Sequence, residues 1–384
     1  VYTVDYNGTV KTQKAPASIG VIMEGARFYA EVKDDVIDIY NAPVSGISGS
    51  YELYKGMVEP VTGMTGNYAR LASGQWVNKN RVNIANKPEQ SQGVVRRATY
   101  QTGNKYDIFE LTMTSPAAAI VDFDGQKLVL KVAAPSSAAL PKLWSDSLIS
   151  NMTYSTTLRK SEFVLTKGED QIIDGYHIEK TDTGIRLMLK HKPKVLNYAN
   201  PLTGITVMLD AGHGGSESGA IGPLGLRYAE KDINLDFAFK LKAELEALGA
   251  NVLMTRTNDS YLSLSQRLAL SRNARPDMFI SLHANSMADN VDISKISGFS
   301  VFYSEDFAKP AAQLVYDHVI REHGRNKHGV NKKNFYVIRN TWAPSFLLEN
   351  AFVPNPIEFE WLTNEAEQIK LAKTVAKAVA EYFK

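Results

Sequence analysis

The order of apolar and polar positions divides the chain into two halves of different period. Over residues 1 to about 200, short alternating or β-rich runs are separated by turn dipeptides, and no 3.6-residue period of useful length appears. Asp124-Gly125 falls between Ala119-Ile120-Val121-Asp122-Phe123 and Lys127-Leu128-Val129-Leu130, which predicts a hairpin. Asp174-Gly175 is predicted to separate Gln171-Ile172-Ile173 from Tyr176-His177-Ile178. Thr183-Gly184 leads into another alternating strand, Ile185-Arg186-Leu187-Met188-Leu189. The polar stretch 86–93 reads as a linker, and a second boundary is expected at 190–193, continuing through Asn200-Pro201. The first half is therefore divided into two small all-β domains, 1–87 and 94–198.

The pattern then changes. Ile205-Thr206-Val207-Met208-Leu209 reads as a buried strand, followed by a glycine-rich loop. Ile233, Phe237, Leu241, Leu245 and Leu248 recur every three or four residues and predict a helix stopped by Gly249. Strands are predicted at 252–254, 278–282, 299–303 and 346–348, and helices at 263–274, 311–322 and 364–383. Alternating strands and helices predict an α/β domain over 204–384, with a central mixed sheet flanked by helices. The fold class expected is thus multidomain, two β domains followed by one α/β domain.

Composition removes several chemistries. The 384 residues include no cysteine, which excludes disulfides, a thiol nucleophile and thiolate-ligated zinc. Any metal site must use His, Asp and Glu. The 43 Lys+Arg against 41 Asp+Glu leave a net charge of +2, so nothing global points to nucleic acid. No apolar run approaches the ~18 residues of a membrane span. The chain opens Val1-Tyr2-Thr3, without Met, a basic segment or an apolar segment, which fits either removal of a signal segment or a trimmed chain.

Ligands of open α/β sheets bind beyond the carboxyl ends of the strands. Three strand ends deliver reactive groups there. The first runs into Asp210-Ala211-Gly212-His213-Gly214-Gly215, another into His283-Ala284-Asn285, and a third into Glu349. Two His and one carboxylate form a common catalytic zinc set with the fourth position open to water. A further Glu can then act as a base without binding the metal. Glu230, just ahead of the helix at 232–248, reads equally well as a helix-start carboxylate favoured by the dipole. The glycines do not complete a nucleotide-binding motif, because Glu217 occupies the position of its last glycine. His318, His323 and His328 lack a partner pattern and read as surface or loop residues. Asp210 and Asn285 are candidates for supporting or substrate contacts, with turn chemistry the stronger reading.

Four ordered segments resemble the zinc-dependent N-acetylmuramoyl-L-alanine amidases of bacterial cell walls. They are Val207 to Gly215, Glu230-Lys231-Asp232-Ile233-Asn234-Leu235, Phe279 to Asn285, and Phe346 to Asn355. The resemblance covers 205–384. It implies that His213, Glu230 and His283 bind one zinc ion and that Glu349 is the catalytic acid/base. It also implies cleavage of the amide between N-acetylmuramic acid and L-alanine, with a zinc-bound water as nucleophile. Peptidoglycan is then the partner, and an exported or wall-associated monomer is expected. The fourth segment carries Asn350-Ala351 where many members have a small residue or threonine before glycine. Some relatives cover the zinc with an insertion; here the irregular stretch, about 287–297, is short and no plug is expected. In the β half, Gly74 to Val82 resembles the closing strand of Src-homology-3-like wall modules, and about 96–190 resembles an AMIN-like β-sandwich targeting domain. Tyr51, Tyr54 and Trp76 could stack on wall sugars or simply fill a core. The rival readings are a zinc peptidase cutting inside the stem peptide and a non-catalytic wall-binding protein.

Overall fold

The computed structural model describes residues 2–6, 9–13, 28–44, 48–86, 93–115, 117–158, 160–286, 292 and 296–384. The linker expected at 86–93 and the irregular stretch at 287–297 lie largely outside the described residues. Two compact units divide the chain. One comprises Val1–Gln171 with Ile178–Leu189, the other Ile172–His177 with Lys190–Lys384.

The first unit is built of strands. A seven-stranded sheet carries Phe28–Val32, Val36–Tyr40, Ser48–Tyr54, Val58–Thr65, Tyr68–Leu71, Trp76–Asn78 and Val82–Asn86. Trp76 is 3% exposed and belongs to its core, which decides that residue against sugar stacking. The side chain of Tyr51 is outside the described residues, and Tyr54 is half-buried. Two four-stranded sheets follow. Phe109 of one meets Phe163 of the other edge-on at 5.5 Å, as inner faces of a β-sandwich do. The Asp124-Gly125 hairpin forms as predicted, with Phe123 opposite Leu128. The Asp124 carboxylate accepts the N–H groups of Gln126 and Lys127 at 2.8 and 2.7 Å.

Asp174-Gly175 does not turn. The strand Ile173–Thr181 runs straight through it. Asp174 is fully buried and accepts the hydroxyl of Tyr382. Gly175 has φ +151°, and a Cβ there would sit 2.6 Å from the Trp342 carbonyl carbon. The dipeptide is glycine-bearing because of a close backbone approach, a long-range cause that local reading cannot distinguish from a turn.

The second unit is the α/β domain. The strands of its main sheet are β1 (Thr206–Ala211), β2 (Asn251–Met254), β3 (Met278–Asn285), β4 (Phe299–Tyr303), β5 (Lys327–Lys332) and β6 (Ser345–Phe352). They line up as β2-β1-β3-β6-β4-β5. β2, β1, β3 and β6 are parallel, β4 runs antiparallel to β6, and β5 is parallel to β4, so the sheet is mixed. The helices are α1 (Glu230–Ala247), α2 (Leu264–Ala274), α3 (Lys309–His323), α4 (Pro356–Thr363) and α5 (Glu365–Phe383). Alternation along the strands sorts the core into two layers. Val207, Leu209, Ile280, Leu282, Phe346 and Leu348 pack with buried residues of α1, α3 and α5. Met208, Phe279 and Leu347 point the other way, against Val337 and Ile338.

The elements absent from the sequence reading include β5 and α4, besides the small hairpin Ile221–Gly222 with Gly225–Ala229. β5 is a polar edge strand, so it lacks the apolar signature of its neighbours. α4 is short, but it carried a readable start: the Asn355 side chain accepts from the N–H groups of Ile357 and Glu358, and Pro356 follows at the first turn. Helix α2 begins as its sequence suggests, with a capping box between Ser263 and Gln266. His318 and His323 are not surface residues. His318 is 6% exposed and bonds Glu381 of α5, and the His323 ring is shut between Thr374 and Trp361. They fill the α3–α5 packing. His328 is exposed, with its ring against Phe352.

Candidate metal centre

The carboxyl edge of β1, β3 and β6 and the first turn of α1 bring the candidate residues together. His213 follows β1 in a left-handed conformation, φ 60°. Glu230 is the first residue of α1 and is 4% exposed. His283 lies within β3 and Glu349 within β6, and the two strands pair them directly. The sequence reading placed both residues just past their strands; they are inside them.

His213 Nε2 lies 3.2 Å from Glu230 Oε2, and His283 Nδ1 lies 3.0 Å from Glu230 Oε1. One donor atom from each of His213, Glu230 and His283 falls within 4.8 Å of the other two. The rings cross at 80° with centroids 5.0 Å apart. Backbone N–H groups of Ala220 and Ala284 donate to the Glu230 carboxylate at 2.9 and 3.1 Å, and Asn234 Nδ2 donates at 3.3 Å. Burial opposes charge on Glu230, but the bonds and charges of His213 and His283 overcome it and hold the acid well below the usual carboxylate range. Burial likewise opposes charge on the His213 imidazole; Glu230 outweighs it and raises the group.

Glu349 differs. Its Oε2 is shielded from solvent and has no hydrogen-bond partner. Burial and then the Glu230 charge push its acid well above the usual range. An unpaired carboxylate oxygen beside a three-donor cluster calls for a cation or a proton. The set of two imidazoles, one fixed carboxylate and one unpaired carboxylate therefore fits a divalent metal.

The loop that carries His213 is held by two arginines that the sequence reading missed. Arg267 of α2 is 2% exposed. It pairs with Asp210 at 2.7 Å and donates to the carbonyls of Ala211, His213 and Leu262. Arg256 donates to the carbonyls of Ala211, Gly212, Lys231 and Asn258. Asp210 also accepts from Thr255 and Ser281, at 2.6 and 2.8 Å. Its role is a buried anchor, not turn chemistry. Asn285 accepts from the Ser286 N–H at 2.9 Å, which is turn chemistry. The available signal for Arg267 was an arginine one residue before Leu268 on the buried face of α2.

Gly212 has no room for a side chain. A Cβ there would lie 2.3–2.7 Å from three atoms of the His283 ring. The Gly212→Ala change is therefore expected to swing His283 aside and weaken metal binding by about tenfold or more, read by competition with a metal chelator. Unchanged affinity would mean that the ring is not held by this contact.

Two histidines and a glutamate at the carboxyl edge of a mixed sheet, with a carboxylate alongside, give this α/β domain a candidate metal centre. Residues 207–381 match the family described as N-acetylmuramoyl-L-alanine amidase. The chain belongs to this family through that domain. It is 30% identical over 236 residues to N-acetylmuramoyl-L-alanine amidase LytC of Bacillus subtilis (strain 168), covering 59% of this chain and 46% of LytC, so it spans about half the length of that relative. It is 32% identical over 189 residues to the uncharacterized protein YqiI of the same organism, covering 48% of this chain and 88% of YqiI. A solved N-acetylmuramoyl-L-alanine amidase from Clostridium difficile 630 is 31% identical, with 46% of this chain and 96% of that one covered and a TM-score of 0.44.

Proposed function

We propose that the protein hydrolyses the amide between N-acetylmuramic acid and L-alanine in peptidoglycan. The observation that carries the reading is the meeting of His213, Glu230 and His283 beside the unpaired carboxylate of Glu349, in a domain of the amidase family. His213, Glu230 and His283 would hold one zinc ion. When bound, zinc supplies a Lewis acid that polarises the scissile carbonyl and acidifies water.

The chain's own residues do the rest. Glu349 takes the proton of the attacking water as the oxygen adds to the carbonyl carbon. It holds that proton until the C–N bond breaks. It then delivers the proton to the leaving nitrogen, leaving a lactyl carboxylate and a free alanyl amine. Asn234 and the N–H groups of Ala220 and Ala284 fix the orientation of Glu230.

The remaining parts of the reading follow the same line. Residues 204–384 form the catalytic domain. Residues 1–87 act as a Src-homology-3-like module and 94–198 as an AMIN-like sandwich, and both hold the enzyme at the wall. The protein works as a monomer outside the cytoplasm. Among the described residues no helix is long and apolar enough to cross a membrane.

Digestion of purified peptidoglycan tests the reaction. The expected products are peptides with a free L-alanyl amine and glycan with unsubstituted muramyl groups, identified by mass spectrometry. Chelation should abolish the reaction and added zinc restore it. New reducing sugar ends would overturn the amidase reading, and cuts inside the peptide would favour a peptidase.

A further inference from the structure

The first unit holds a buried carboxylate that the metal centre does not use. Glu59, on the strand Val58–Thr65, is 2% exposed. It accepts the backbone N–H of Ser73 and bonds the Ser73 hydroxyl. No cationic side chain pairs with it among the described residues. Burial outweighs the Ser73 bonds and pushes its acid up to about 7.

Glu59 lines a small cleft of about 70 Å³ that opens to solvent, room for a group of a few heavy atoms and not for a large ligand. The apolar wall is mostly small, Ala72, Ala118, Ala119 and Ala133, with Ile120 and Val132 beside them. The Ala118 N–H donates to the Val58 carbonyl at 3.0 Å, which ties the wall to the Glu59 strand. Lys131 and Lys160 also line the cleft. Each is partly solvated and pairs with an acid, Asp122 and Glu162 respectively.

These parts form a gradient of chemistry. The buried end offers an uncompensated carboxylate, which a ligand cation relieves. The walls admit a methyl-sized group. The outer end offers ammonium groups that can receive an anion or a peptide carbonyl. We propose that the cleft binds an alanine-like α-ammonium group, with its nitrogen on Glu59 and its methyl on the alanine wall. Two sources share this chemistry, a free amino acid and the N-terminal alanine of a peptide. If the amidase reading holds, the second source is the reaction's own product, and the cleft keeps the enzyme on wall that has already been cut.

The test is calorimetric titration of the full chain with L-alanine, alanyl-alanine and N-acetyl-L-alanine. The two free amines should bind and the acetylated compound should not. Glu59→Gln should weaken amine binding by about tenfold or more, the loss of one charged hydrogen-bonded contact. Ala119→Leu, which keeps the carboxylate and fills the cleft, should do the same; melting curves and zinc content would show that both variants fold. Binding of alanyl-alanine alone selects the peptide source, and binding of alanine alone the free amino acid. Equal binding of the acetylated compound, or amine binding that survives both variants, would overturn the proposal. So would the absence of binding to the wild-type chain. Absent hydrolysis of peptidoglycan with intact amine binding would remove only the reaction product as the source.

Discussion

Glu349→Gln is expected to lower peptidoglycan amide hydrolysis by about 10²- to 10⁴-fold, the usual contribution of a positioned general acid/base. Metal content should stay at the wild-type level, because the three-donor cluster of His213, Glu230 and His283 does not include this residue. Gln keeps the shape of the side chain and removes the proton acceptor. It also removes the repulsion between Glu349 and Glu230, so the fold should be no less stable. The measurement pairs turnover on a soluble muropeptide with zinc content by atomic emission. Wild-type turnover would take Glu349 out of the mechanism. Loss of zinc along with turnover would make it a ligand instead.

The second large effect is structural. Arg267→Met should destabilise the α/β domain by about 3–5 kcal/mol, because Asp210 would remain buried without its cation. For a unit of this size, that corresponds to a fall of about 6–20 °C in the domain's melting temperature. The carbonyls of Ala211 and His213 also lose their donors, so the left-handed turn at His213 loosens and zinc affinity falls. Adding Asp210→Asn should recover part of the stability, since the unpaired charge is then gone, but not the affinity. A melting temperature within a few degrees of wild type would show that the pair contributes little. Recovery of affinity by the double variant would show that the pair does not position His213.

The separate worth of these residues explains what could be read along the chain. His213 and His283 stood out because short β-branched or apolar runs end in them, and strand ends are where open sheets bind ligands. The Asp124-Gly125 hairpin was legible because its turn is closed by its own neighbours. Asp174-Gly175 has the same letters but a different cause, the approach of Trp342. Arg267 carried no local mark of burial; its partners from Asp210 to His213 lie 54–57 positions away. Glu230 was ambiguous for a similar reason, as both histidines that define it come from other elements.

Residue types and near neighbours alone establish most of the local elements of the α/β domain, the absence of thiol chemistry, and two histidines and one glutamate toward the carboxyl ends of its strands. Those features depend on residue type and on neighbours within a few positions. The tertiary structure alone decided that β6 inserts between β3 and β4, which puts Glu349 beside His283. It also decided that Glu230 bridges two imidazoles, that two arginines hold the His213 turn, and that Glu59 lines a cleft with a mostly small apolar wall. The reason is physical: sheet order and burial are set by the packing of distant segments, and burial is what turns an ordinary carboxylate into one that requires a cation or a proton.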